Sequence, residues 1–522
     1  MQRLRDAGTR ALFGVPGGGG NLDLIEAAGR ADLPFVLTST ETGGAIAAIA
    51  QSELTGRPGA CLTTLGPGAA SAVNGVACAF LDRASIVVFT DSNPAGARGA
   101  FTHQQIDQLA LFEPITKWSA RLEIGRVRST IEEAFKAAST LPPGPVHLDC
   151  PGDANELEAA SSEAAMGPRS PTLYPTPPFG FDDAIAQARK PLLLVGLGAR
   201  YPDDAAAVRR LCESHQIPAM VTYKAKGVVP DGHPCFAGVF TNGLIERTLI
   251  DECDLLVGVG LDPVELLPRP WTFKQPIVGI GRWPCPNAHV PFAAQWTSDV
   301  PHALAWLGDR LPASGWAVER VQSAVSDGCR AMDIATEGMS AQRVVDVAAR
   351  LLAPVCRVTV DAGAHMLPAT LRWPVRDPNG MLISNGLSTM GFALPAAIGA
   401  CRLDRGRTVA LTGDGGLLMC AGELLTAARE RLPVMTIVFN DSSLSLIEIK
   451  QQARRLRPGG VALGTVGWRA LGESFGVASF IAHNDDELAR AIEQAVAVDG
   501  PSLIEAIVDR SNYGAMLKAI RG

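Results

Sequence analysis

Asp414 stands in the stretch Leu-Thr-Gly-Asp-Gly-Gly, and Asp441 follows Phe-Asn at the end of the next apolar run. Gly413, Gly415 and Gly416 allow a tight turn with backbone N–H groups at the start of a helix, an arrangement that favours a phosphate or diphosphate. A carboxylate among such amides would by itself repel an anion. A divalent cation resolves the conflict: the carboxylate binds metal, and the metal binds diphosphate. Mg²⁺ prefers six oxygen ligands and commonly bridges carboxylate and phosphate in this way. Asp441 and a carbonyl near Ser443 would complete the set. Taken singly, Asp-Gly is an ordinary turn and Asn440-Asp441 an ordinary helix cap. The two together, at the ends of consecutive strands, point to chemistry.

The elements that must hold these residues follow from apolar periodicity. Short apolar runs alternate with helical patterns in three segments, which predicts an α/β chain of three domains, each a mainly parallel sheet flanked by helices. The first, residues 1–158, has strands at ALFGVP, FVLTS, ACLTTLG, SIVVFTD and PVHLDCP. The second, residues 179–312, has PLLLVGLGA, AMVTY, LLVGVG and PIVGIG. The third, residues 338–522, has RVTVDAG, TVALTGDGG, VMTIVFND and SLIEAIV. The proline-rich GPRSPTLYPTPPFG reads as a linker between the first two. Ligands of open parallel sheets bind beyond the carboxyl ends of the strands. The glycine-rich ends GVPGGGG, LGPGAAS, VGLGAR, DAGAH and TGDGG are therefore the places to expect a site.

Composition narrows the class. With 522 residues, 47% hydrophobic and 19% charged, the chain is core-rich and multidomain. Its net charge of −7 and lack of a long basic run argue against nucleic acid. The 11 cysteines form no CxxC pair and read as buried, reduced thiols. The N-terminal stretch has no apolar signal core, and no apolar run reaches membrane-spanning length. The expectation is a soluble cytoplasmic protein.

The pattern GDG, an intervening helix, then a strand ending in Asn-Asn or a close variant resembles the cofactor signature of thiamine-diphosphate enzymes. The resemblance runs through GVPGGGGNLDL, a glutamate at the end of the second strand, LTGRPGACLTTLGPGAAS, HQQIDQLALFEPITKWSAR, YKAKGVVPDGHPCFAG and NGLSTMGFALPAAIGA, in the family's order. It is strongest to acetolactate synthase-like enzymes, with benzoylformate decarboxylase next. It implies the thiamine-diphosphate-binding fold: a pyrimidine-binding first domain, a Rossmann-like middle domain and a diphosphate- and Mg²⁺-binding third domain. It also implies a homodimer or homotetramer with active sites between subunits. The implied activity is that of a lyase or transferase that decarboxylates a 2-oxo acid and passes the acyl carbanion to a second carbonyl. A decarboxylase of the benzoylformate type, releasing an aldehyde, is the alternative.

The resemblance assigns roles to single residues. Glu41 would hydrogen-bond the cofactor's pyrimidine and favour the imino tautomer that takes the C2 proton. Met390 would hold the cofactor bent, and the Ser388 carbonyl would accept from its amino group. His365 would contact diphosphate. Gln104 would face cofactor or substrate, with His103 at the family's phenylalanine position. Gly66 lies in a loop that approaches the cofactor.

The departures bear on substrate and metal. Thr40 replaces a histidine common in relatives, and Asp441 replaces the usual asparagine, which keeps an oxygen for the cation. Gly18 stands where the decarboxylases carry aspartate or serine. Lys450 stands where acetolactate synthase has a tryptophan that helps select its second 2-oxo acid, which leaves either an acidic substrate or a solvent-facing lysine. VGLGAR has part of a dinucleotide fingerprint but lacks its third glycine, and FAD is kept as a candidate further cofactor. A nicotinamide or flavin oxidoreductase would leave Glu41, Asp414 and Asp441 without a task. A silent nucleotide-binding scaffold would not need them either.

Overall fold

A computed structural model describes residues 1–94, 96, 102–152, 171–266, 269–286 and 290–522. Three six-stranded sheets follow one another along the chain. The first contains β1 (Leu12–Val15), β2 (Phe35–Leu37), β3 (Gly59–Thr63), β4 (Ile86–Ser92), β5 (Trp118–Arg121) and β6 (Val146–Pro151), in the order β2-β1-β3-β4-β6-β5. The second contains β7 (Pro191–Val195), β8 (Ala219–Val221), β9 (Phe236–Val239), β10 (Leu255–Val259), β11 (Ile277–Gly281) and β12 (Phe292–Thr297), in the order β12-β11-β10-β7-β8-β9. The third contains β13 (Arg357–Val360), β14 (Met381–Ile383), β15 (Thr408–Gly413), β16 (Val434–Asn440), β17 (Ala478–Ala482) and β18 (Ser502–Ile507), in the order β14-β13-β15-β16-β18-β17. The pairings are parallel, as the apolar runs predict.

The interior strands read as continuous apolar runs because helices cover both faces. Most edge strands escape that signal. β5, β9, β12, β14 and β17 are absent from the strands expected from the sequence, and each lies at the edge of its sheet. In β5 every residue is half-buried, and β12 and β17 are only partly covered. β14 is buried but only three residues long. Of the expected linker, residues 167–170 lie outside the described residues; 171–180 contain no strand or helix. The 11 cysteines are free, and most are buried.

The first and third sheets meet through helices. The helix Glu41–Thr55 is buried along almost its whole length. It packs against both Pro67–Leu81 and Ala393–Asp404. The approach to the latter is so close that a Cβ on Gly399 would lie 2.2 Å from the Ala47 carbonyl oxygen. Charges tie in the second sheet. Glu53 meets Lys224 at 2.7 Å and Arg200 at 3.3 Å. Lys224 also donates to the Ile383 carbonyl at 2.9 Å. Arg83 grips the buried Asp262 with two hydrogen bonds, of 2.9 and 3.1 Å. These contacts set how the strand ends of the three sheets lie relative to one another.

Candidate active site

Register brings the third sheet's acids together. Gly413 at the end of β15 pairs with Phe439 of β16, so Asp414 and Asp441 leave adjacent strands side by side. Asp414 opens the helix Asp414–Cys420 and is 5% exposed. Its carboxylate accepts from Gly415 N at 2.7 Å and Ser442 N at 2.6 Å. Asp441 accepts from Ser443 N at 3.0 Å and Ser445 Oγ at 2.8 Å. Burial pushes both carboxyls up, and the Asp414 charge adds to it at Asp441, which reaches about 6. Arg510 is felt by both but is committed to Glu448 at 2.6 Å. A buried carboxylate beside a half-buried one that feels its charge suits a cation. Among the described residues no cluster of three or more His, Cys, Asp or Glu side chains could hold a metal. A cation here would rely on these two acids and on carbonyl or ligand oxygens.

His365 follows β13 and is 2% exposed. Its ring stacks on Phe439 with centroids 4.9 Å apart. Burial pushes it down to about 4, against a smaller upward pull from the Leu411 carbonyl. Its Nε2 is buried and has no hydrogen-bond partner. The backbone around it is shaped for close approach. A Cβ on Gly415 would meet Leu444 at 2.7 Å and Met390 Cε at 3.1 Å, and one on Gly416 would meet Asp361 Oδ2 at 2.4 Å. Ser388 and Ser442 take left-handed φ values of 53° and 57° without being glycine, a strain that concentrates at functional sites.

One cavity of about 460 Å³ gathers these parts. His365, Ser388, Met390, Gly413, Asp414, Gly415, Gly416, Asp441 and Ser443 all line it. Lys450, exposed on the helix Ser445–Ala453, reaches it too. A larger hollow of about 1010 Å³ lies on the first unit between Thr102 and Arg121. None of the expected site residues lines it, and its more open form lacks the paired acids, so the smaller cavity is the chemical one.

The residues expected from the first unit form a second cluster. Glu41 is half-buried at the start of its helix, whose cap Thr40 accepts from Gly43 N at 2.9 Å. A Cβ on Gly68 would lie 3.1 Å from Glu41 Oε1. Gly66, at φ 59°, lies under the Gln104 backbone, so closely that a Cβ would stand 2.2 Å from its carbonyl oxygen. Gln104 is itself left-handed at φ 58°. Gln104 and His103 are exposed. None of Glu41, Gly66, His103 and Gln104 lines the 460 Å³ cavity of the same chain.

Sequence reasoning missed the residues that aim these groups. Asp361, fully buried just past β13, accepts from Gly391 N at 3.0 Å, Phe392 N at 3.2 Å and Thr412 Oγ1 at 2.8 Å, so it fixes the turn after Met390. Burial pushes its carboxyl up to about 6. Glu423, also fully buried, accepts from Ser39 N at 3.1 Å and Thr40 N at 3.0 Å, and so holds the entry to the Glu41 helix from the third unit. An acid at the end of an apolar strand was the available signal for Asp361. Glu423 sits in an ordinary helical pattern and gave none. The glycines of VGLGAR serve packing: Cβ atoms on Gly196 and Gly198 would meet the Gly260 carbonyl at 2.5 and 2.9 Å. Leu197 N donates to Glu265 at 2.8 Å. Nothing there calls for FAD.

The cavity fits a diphosphate tied down through a cation: facing acids, an unpartnered imidazole nitrogen and glycines that a side chain would block. Comparison with known families agrees. The thiamine pyrophosphate enzyme N-terminal TPP binding domain matches residues 1–111, the central domain 182–282, and the C-terminal TPP binding domain 361–506. The chain is 29% identical over 533 residues to an acetolactate synthase of Bacillus subtilis (strain 168), covering 98% of this chain and 92% of that protein. It is 28% identical over 536 residues to the acetolactate synthase isozyme 1 large subunit of Escherichia coli (strain K12), covering 97% and 92%. A probable acetolactate synthase large subunit of Methanocaldococcus jannaschii is 28% identical over 538 residues, covering 98% and 91%. With its three parallel sheets and three matching domains, the chain belongs to the thiamine-diphosphate-dependent enzymes, as a lyase or transferase similar to acetolactate synthases.

Proposed function

We propose that the chain, with thiamine diphosphate and Mg²⁺, decarboxylates a 2-oxo acid and joins the retained fragment to a second carbonyl. The observation that carries this reading is the pairing of Asp414 and Asp441 at the ends of β15 and β16, with His365 Nε2 unpartnered in the same cavity. When bound, the cofactor supplies the electron sink for decarboxylation. Asp414, Asp441 and the Ser443 carbonyl hold the cation. His365 meets the diphosphate, and Gly413, Gly415 and Gly416 let it approach. The Ser388 carbonyl and Met390 orient the other end. Glu41 holds and moves the proton that activates the cofactor, with Gly66 beside it and Gln104 and His103 toward the substrate.

Glu41 stands outside its own chain's cavity, which supports a site completed by a second copy, in a homodimer or homotetramer. We assign the three units to residues 1–158, 179–312 and 338–522, and the enzyme to the cytoplasm. No helix among the described residues is long and apolar enough to cross a membrane.

Product analysis with pyruvate, thiamine diphosphate and Mg²⁺ tests the reading, with Glu41→Gln as the blank. Acetolactate from the wild type and none from the variant supports it. Acetaldehyde alone replaces ligation by simple decarboxylation. Acetolactate at an equal rate from Glu41→Gln removes Glu41 from the reaction.

A further inference from the structure

The wall of the cavity opposite in sequence to its acids comes from the second unit and the final helix, Tyr513–Arg521. Tyr223, two residues past β8, is 3% exposed and lines the cavity, yet its hydroxyl has no hydrogen-bond partner. Arg521 lines it as well. Its Nε is buried and unpartnered, and no described carboxylate forms an ion pair with it. Burial pushes the phenol up, and the guanidinium, its near neighbour, pulls it down less strongly by charge and by side-chain contact, yet no aligned hydrogen bond satisfies the hydroxyl or the Arg521 Nε. The acid on that wall, Glu265, is engaged elsewhere, by Leu197 N and Thr222 Oγ1. The final helix is docked rather than loose, since Leu244 N donates to the Ile520 carbonyl at 2.7 Å and Arg269 Nη1 to that of Arg521 at 3.0 Å. Lys450, on a helix packed against the final one, adds a second positive charge to the same cavity.

Buried donors without acceptors mark a place for a ligand's oxygens, and a guanidinium beside a phenol hydroxyl matches a carboxylate. The carboxylate in question is not the one lost as CO₂. That group goes from anion to neutral gas, so a cation holding it would stabilise the ground state more than the transition state and slow the reaction. The anion must be one that the substrate keeps. We propose, resting on the thiamine-diphosphate reading above, that Tyr223 and Arg521 select a donor bearing a second carboxylate, a 2-oxo dicarboxylic acid, with Lys450 adding to the field at the rim.

Calorimetric titration of the cofactor-loaded enzyme with glutarate and with butyrate reads this without turnover. Glutarate is expected to bind at least tenfold more tightly than butyrate. Arg521→Gln should erase that difference, Arg521→Lys should restore part of it, and Tyr223→Phe should reduce it severalfold. Cofactor affinity, followed by quenching of protein fluorescence, should stay within twofold in all three variants. Equal affinity for the two acids overturns the proposal, and if that shared affinity depends on Arg521 the residue holds the carboxylate of an acceptor instead. A preference for glutarate that survives Arg521→Gln overturns it as well. Absence of thiamine-diphosphate binding in the wild type would defeat the cofactor reading instead, and would do so before any acid is added.

Discussion

Among the described residues two histidines are buried, and their surroundings differ in kind. His147 in β6 is fully buried, with Nε2 against Thr90 Oγ1 at 2.8 Å and Nδ1 against Ser119 Oγ at 2.7 Å. His365 is 2% exposed, and its Nε2 meets nothing. Burial pushes both down, His147 to about 3 and His365 to about 4. The carboxylates repeat the contrast. At the junction of the three units, burial pushes the Glu53 carboxyl up, but Lys224 and Arg200 outweigh it and hold it below the usual range. Both contacts are ion pairs, at 2.7 Å to Lys224 and 3.3 Å to Arg200. In the cavity, Asp414 and Asp441 face each other and are pushed up. Buried polar groups in folded proteins are nearly always compensated. Where opposite charges meet, the chain is holding itself together. Where like charges and orphaned donors meet, it is shaped around something else.

The severest way to break this contrast is at the junction. Lys224→Met leaves Glu53 buried beside only Arg200, and removal of one partner of such a pair costs about 3–5 kcal/mol. Thermal unfolding followed by circular dichroism should show a large loss of stability, and an unchanged midpoint would mean that the junction charges are not structural. Next is Asp441→Ala. It should cost about 3 kcal/mol of cofactor binding, roughly a hundredfold, while leaving the fold intact. Undiminished magnesium-dependent binding in this variant would refute the assignment of Asp441 to the cation.

A smaller effect sharpens the histidine pair. His365→Ala should weaken thiamine-diphosphate binding about tenfold, or ~1.4 kcal/mol, with little change in melting temperature. His147→Ala should do the reverse, losing about 1–3 kcal/mol of stability from unpaired hydroxyls and leaving cofactor affinity alone. Equal effects of the two on affinity would erase the distinction. The least of the four is a pH effect. The Asp441 carboxyl is raised to about 6, so the native state holds its proton more tightly than the unfolded chain does. The metal-free protein should therefore gain stability from this group as pH falls through about 6, and lose it again as pH rises. Mg²⁺ affinity should move the other way, weakening over the same fall because the cation needs both acids ionised. Asp441→Asn should flatten both profiles.

The interior strands were legible because a parallel sheet buried on both faces writes itself as unbroken apolar residues. The acids Asp414 and Asp441 were legible because they interrupt such runs at the carboxyl end. The edges were not: β5, Trp-Ser-Ala-Arg, carries no run at all because it is covered only in part. Asp361 was within reach of the same reasoning as Asp414. Glu423 and Tyr223 were not, since each acts across a seam between units, and one-dimensional spacing holds no record of which helix meets which loop. Arg521 shows the same limit, because nothing in a terminal helix announces that it forms the wall of a cavity.

Three sheets of equal strand number invite the thought of interchangeable modules. The seams argue otherwise. Glu423 serves amides of Ser39 and Thr40 that lie 384 and 383 residues away in sequence, and Glu53 leans on Lys224 and Arg200 of the neighbouring unit. A chimera that swaps the first unit for a relative's would leave Glu423 dependent on where the new loop puts its amides, and Lys224 dependent on whether the new unit supplies an acid. Recombination that respects the sheet boundaries alone should therefore fail, and grafts that also change positions 200, 224 and 423 to the donor's residues should tolerate the exchange.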